Sequence, residues 1–121
     1  MKKLPDAELE VMQIIWSCQS PVQRFEIEEK MNQKRNIAQT TLLTMLTRLA
    51  DKGFLKIEKN GRSSQYIPLI SEHEYNSMQS RNFINQLFKG NMRSFATALC
   101  DSGISKEDLE ELKEMLEKNL L

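Results

Sequence analysis

The chain has 121 residues, of which 28% are charged, 40% hydrophobic and 7% aromatic. That balance belongs to a globular protein of one compact domain, or one small domain with an appendage, and it excludes a disordered chain. The formal net charge is zero, and no apolar run reaches the length of a membrane span.

Pro5-Asp6-Ala7 reads as a helix start, with Asp6 as cap or first-turn acid. Leu9, Met12, Ile15 and Trp16 follow at helical spacing until Cys18 to Pro21 breaks the pattern. An extended piece near Val22 leads to a second helix from Phe25 to about Gln33, with Ile27 and Met31 turned inward and Glu26, Glu28, Glu29 and Lys30 outward. A basic connection, residues 34–37, precedes a third helix from Ala38 to Lys52. At 100° per residue, Ala38, Leu42, Met45, Leu46 and Leu49 form its inner side, and Thr40, Leu43, Thr44, Thr47, Arg48 and Asp51 its outer side. Gly53 stops it.

Phe54 to Lys59 alternates as a strand with Leu55 and Ile57 on one face. Asn60-Gly61 is expected to supply the hairpin turn, and Gln65 to Leu69 returns, with Pro68 marking an edge strand or a strand end. Ser71 opens a capped helix to about Lys89, a further helix covers Met92 to Cys100, and Ser105 opens the last. Domains are expected at 1–70 and 71–121. The second stretch has too little bulk for a core of its own, so it must pack on the first domain or on another copy. The residues expected at a dimer interface are Tyr75, Phe83, Ile84, Leu87, Phe88, Leu109, Leu112, Leu116 and Leu120.

The zero net charge hides an asymmetry: residues 1–70 carry +3 and residues 71–121 carry −3. Between positions 30 and 62, Lys30, Lys34, Arg35, Arg48, Lys52, Lys56, Lys59 and Arg62 are opposed only by Asp51 and Glu58, a local +6. Such a segment suits nucleic acid, although a solvated face has the same composition.

Three helices followed by a hairpin within about seventy residues is the winged helix-turn-helix layout, so the fold class is mainly α with a small β-hairpin wing and a helical dimerisation region. In that layout the third helix is the one expected to enter a DNA major groove. The expected DNA-binding residues are Gln39, Thr40, Thr41, Leu43, Thr44 and Thr47 toward bases, and Lys34, Arg35, Arg48, Lys59, Arg62 and Ser63 toward phosphates. Helix propensity does not explain four threonines on one helix. A winged-helix protein–protein interaction module is the alternative, and it requires no basic recognition face. RNA binding calls for exposed stacking aromatics, which this helix lacks.

Catalysis and metal binding have no support in the pattern. His73 is the single histidine, the glycines are scattered, and no Cys-His spacing suits a metal, so no catalytic residue, metal ligand or cofactor is expected. Cys18 and Cys100 read as buried free thiols. The basic start at Lys2-Lys3 has no apolar stretch behind it, which makes the cytoplasm the expected location.

The ordered series Leu4-Pro5-Asp6-Ala7-Glu8-Leu9-Glu10-Val11-Met12, Ile14-Ile15-Trp16, Thr41-Leu42, Leu46-Thr47-Arg48-Leu49, Lys52-Gly53-Phe54, Gly61-Arg62, Tyr66, Pro68-Leu69, Phe83-Ile84, Leu87-Phe88, Gly90 and Asp108-Leu109-Glu110-Glu111-Leu112 resembles the bacterial penicillinase and methicillin-resistance repressors, a family that also includes copper-responsive repressors. The resemblance implies a homodimer on a palindromic double-stranded operator. It also implies control of the protein's own operon, of resistance genes or of a neighbouring membrane-bound sensor protease, and dimerisation through the C-terminal helices.

Three departures stand out. Relatives often carry Ser at the position of Ala38 and basic residues at those of Thr40 and Leu43. Members released by a sensor protease are cut at an Asn–Phe bond; Ala98-Leu99 stands at that place here, and Asn82-Phe83 occurs earlier, which argues against proteolytic induction by that route. The copper-responsive branch has clustered C-terminal cysteines, whereas this tail has only Cys100.

Overall fold

A computed structural model describes residues 2–120, without the side chain of Leu120. The chain divides into two compact units, residues 1–79 and 80–121.

The first unit opens with α1 (Asp6–Ser17), β1 (Val22–Gln23), α2 (Arg24–Lys34), α3 (Gln39–Asp51), β2 (Leu55–Asn60) and β3 (Ser63–Pro68). α1 buries Val11, Met12, Ile14 and Ile15, α2 buries Ile27 and Met31, and α3 buries Leu42, Met45, Leu46 and Leu49. The faces of α2 and α3 follow the expected period, whereas on α1 Val11 and Ile14 join Met12 and Ile15 inside while Leu9 and Trp16 are only half-buried; together they meet Leu4, Val22, Phe54, Leu55, Tyr66 and Ile70 in one core. α2 starts one residue earlier than its apolar pattern indicates because a capping box closes it. The Gln23 side chain accepts from the Glu26 backbone N–H, and the Glu26 side chain accepts from the Gln23 N–H at 2.7 Å.

The sheet has three antiparallel strands in the order β1-β3-β2. β3 is therefore central, not an edge. Pro68 is tolerated because it ends the strand, and β1 pairs only with Gln65 and Tyr66. Asn60 pairs with Ser63, which leaves Gly61 and Arg62 as the two turn residues; the expected turn at Asn60-Gly61 is shifted by one. Gly61 at the first turn position has φ +68°, the left-handed backbone such a tight hairpin requires there. Ile57 pairs with Tyr66 but is exposed, one step nearer the hairpin tip than Leu55, the buried residue of the same face. Ala38, placed on the inner side by periodicity, is the exposed N-cap of α3 and gives it no side-chain hydrogen bond.

α4 (Glu72–Phe88) begins where expected, with Ser71 Oγ accepting from the Glu74 N–H at 3.0 Å. Its first turns belong to the first unit. Tyr75, expected at a dimer face, is 3% exposed and sits against Trp16 and Phe54, with ring centroids 5.7 Å away in each case. That burial removes it from any dimer face. Trp16 Nε1 donates to the Ile70 carbonyl at 2.9 Å and ties down the same corner.

The second unit contains the rest of α4, α5 (Met92–Asp101) and α6 (Lys106–Leu120). Phe83, Phe88 and Phe95 form an edge-to-face trio with centroids 5.4 to 6.5 Å apart. α5 buries no residue at all, so Cys100, expected to be buried, is an exposed free thiol, and Cys18 after α1 is only half-buried.

Candidate nucleic-acid interface

α3 is held by its apolar side and by the segment that follows it. Lys52, its C-cap, reaches Glu8 of α1 at 2.5 Å, and the Phe54 N–H donates to the Leu49 carbonyl at 2.9 Å. With the inner face fixed in the core, the opposite face points outward. Gln39, Thr40, Thr41, Thr44, Thr47 and Arg48 are all exposed, and Leu43 is half-buried among them. Thr40, Leu43, Thr44 and Thr47 stand three and four positions apart, so they line a single stripe. The first turn of α3 has neither an acidic residue nor a side-chain cap, so among the described residues no side chain fills its backbone N–H groups.

The wing tip carries Lys59, Arg62 and Ser63, all exposed. Ser63 Oγ donates to the Asn60 carbonyl at 3.0 Å and stiffens the turn from which Arg62 projects.

The basic segment is not uniformly available. Arg35 is paired with Glu10 of α1. The hydrogen bond that Arg35 donates to Glu10, and then the Glu10 charge, raise the Arg35 guanidinium above its ordinary pKa. Lys52 is held by Glu8, and Lys56 lies 2.9 Å from Glu58 on its own strand. Among the described residues, Lys34, Arg48, Lys59 and Arg62 make no ion pair. Charge patterning puts Arg35 with the phosphate contacts; in the structure it is exposed and also fastens the end of α2 to α1 through Glu10. Glu8 and Glu10 cannot be paired from spacing, because their partners lie 44 and 25 positions away.

Tyr66, buried on the central strand β3 and facing the charges of Arg24 and Glu28, is pushed above the ordinary tyrosine pKa, chiefly by burial. Among the described residues, no cluster of three or more His, Cys, Asp or Glu is placed to hold a metal ion, and no helix is long and apolar enough to cross a membrane.

The residues expected at a dimer face lie mostly in the second unit. Phe83, Leu87, Leu112 and Leu116 are exposed, and Ile84, Phe88 and Leu109 are half-buried. The side chain of Leu120 is outside the described residues.

The family model described as Penicillinase repressor matches residues 4–118. The penicillinase repressor of Bacillus licheniformis is 35% identical over 98% of this chain and 95% of its own length. The methicillin resistance regulatory protein MecI of Mammaliicoccus sciuri is 32% identical over 96% of this chain and 94% of its own. Among solved structures, the DNA-binding domain of the repressor BlaI superposes with a TM-score of 0.53 at 40% identity, covering 62% of this chain and 94% of that one. The monomeric form of Bacillus licheniformis BlaI in complex with the blaP half-operator gives a TM-score of 0.51 at 38% identity, covering 61% of this chain and 89% of that one. The α1-β1-α2-α3-β2-β3 unit is thus a winged helix, and the chain belongs to the penicillinase repressor family.

Proposed function

We propose that the chain is a sequence-specific, cytoplasmic, DNA-binding transcriptional repressor that acts as a homodimer on a palindromic operator. The observation that carries this reading is the outward stripe of α3. It is a row of small polar and apolar side chains, free of core duties, on the second helix of a helix-turn-helix in a chain 38% identical to a BlaI solved on a half-operator. A major groove admits one such helix, and threonine and glutamine side chains match base edges there. Lys34, Arg48, Lys59 and Arg62 supply phosphate contacts around it.

Residues beyond the winged helix serve dimerisation. Leu87, Met92, Leu112, Met115 and Leu116 are exposed on short helices that cannot bury them alone. A second copy related by a two-fold axis covers such faces and matches a palindromic site. Kinship points to resistance genes or a neighbouring operon as targets. The Asn82–Phe83 and Ala98–Leu99 bonds both lie inside helices, α4 and α5, so cleavage at either requires local unfolding first.

Fluorescence anisotropy with labelled DNA from the gene's own upstream region, against a scrambled duplex, tests the reading. Tight binding to the upstream duplex alone supports it. Equal weak binding to both duplexes at every salt concentration counts against it.

A further inference from the structure

The two central threonines of the outward stripe have already committed their hydroxyl hydrogens. Thr44 Oγ1 donates to the Thr40 carbonyl at 2.9 Å, and Thr47 Oγ1 donates to the Leu43 carbonyl at 3.0 Å. A hydroxyl has one hydrogen and two acceptor lone pairs. Both side chains are exposed, so each offers outward an acceptor oxygen and a methyl group, and no donor. Leu43 adds apolar surface between them. No cation stands on α3 before Arg48, which lies in its last turn.

Base chemistry then selects. In the major groove guanine presents two acceptors, N7 and O6, which need a donor that Thr44 and Thr47 lack. Thymine presents its C5 methyl, and the adenine paired with it presents an N6 amine that a hydroxyl oxygen can accept from. Cytosine also offers an amine but has no methyl, so the methyl separates thymine from cytosine.

We propose that Thr44 and Thr47 determine specificity for thymine in the operator half-site, reading its C5 methyl with their own methyl groups. The proposal rests on the DNA-binding reading above and adds which base is recognised and by which atoms.

The test starts with selection of duplexes by the full chain from a randomised library. Each thymine of the preferred duplex is then replaced by deoxyuridine, which removes only the methyl. One buried methyl is worth about fourfold in affinity. At least one thymine per half-site is expected to show that loss. Thr44→Val and Thr47→Val, which keep the methyl and discard the hydroxyl, retain affinity and thymine preference. Thr44→Ser and Thr47→Ser, which keep the hydroxyl and discard the methyl, bind about fourfold more weakly, and each is indifferent to deoxyuridine at the base it faces. That cancellation reports direct contact, which a purely structural role of either threonine does not produce.

The proposal is overturned if the serine variants bind like wild type while the valine variants do not, if deoxyuridine is neutral throughout, or if guanine is selected opposite these positions. A library that yields no preferred duplex removes the DNA-binding reading itself. A preferred duplex insensitive to both deoxyuridine and serine removes only the methyl reading.

Discussion

The Tyr75 hydroxyl accepts a hydrogen bond from the Leu4 backbone N–H at 2.8 Å, joining residues 71 positions apart inside the core of the first unit. The contact fastens the chain's start and the first turn of α4 to the winged helix, with Trp16 and Phe54 packed around the ring. Tyr75→Phe leaves a buried N–H without a partner. The expected cost is about 1–3 kcal/mol, seen as a lower urea midpoint with an unchanged slope. DNA affinity of the folded variant should not change.

The missing cap on α3 gives a prediction of opposite sign. Ala38 occupies the N-cap position with extended backbone and no side-chain hydrogen bond. Ala38→Ser supplies an oxygen for the free N–H groups of the first turn and should stabilise the fold by about 1 kcal/mol. Thermal unfolding checks this; an unchanged or lower Tm contradicts the local geometry.

Free and engaged cations should separate in the salt dependence of DNA binding. Replacing Lys34, Arg48, Lys59 or Arg62 by Ala removes a cation that has no ion-pair partner among the described residues. Each change should flatten the log–log salt slope by about 0.9 for every phosphate left without its cation. Arg35→Ala should leave that slope unchanged, because Glu10 already holds the guanidinium.

Burial of Tyr66 predicts an alkaline effect. Its folded-state pKa is raised, so the folded chain holds the phenolic proton more tightly than the unfolded chain. That stability is fully present below the unfolded tyrosine value of about 10 and is lost as the pH rises past it toward the folded value. The stability gap between wild type and Tyr66→Phe should therefore narrow above that pH, as measured by urea titrations at neutral and alkaline pH.

For the tail, Leu112→Asp with Leu116→Asp should convert dimers to monomers in sedimentation. Persisting dimers place the interface elsewhere.

Local patterns made most of the fold readable. The inner faces of α2 and α3, the Ser71 cap and the order of elements follow from periodicity and capping chemistry, which act over a few residues, while α1 turns Val11 and Ile14 inward beside the expected Met12 and Ile15. What stayed hidden depends on distant partners. Tyr75 resembles any other apolar residue of a tail helix until Leu4, Trp16 and Phe54 close around it. Arg35 and Lys52 pass for free cations until α1 brings Glu10 and Glu8 to them. β1 is two residues long, too short for alternation to announce, so the central place of β3 was invisible. The threonine stripe was legible from spacing, but the direction of its hydroxyl hydrogens was not.

The role of α3 as the DNA-reading helix can be tested by following backbone amide shifts of the labelled full chain as the selected duplex is added. Changes should concentrate on Gln39, Thr40, Leu43, Thr44, Thr47 and Arg48 of α3 and on Lys59, Arg62 and Ser63 of the wing. Changes confined to α5 and α6, with α3 undisturbed, would contradict that role.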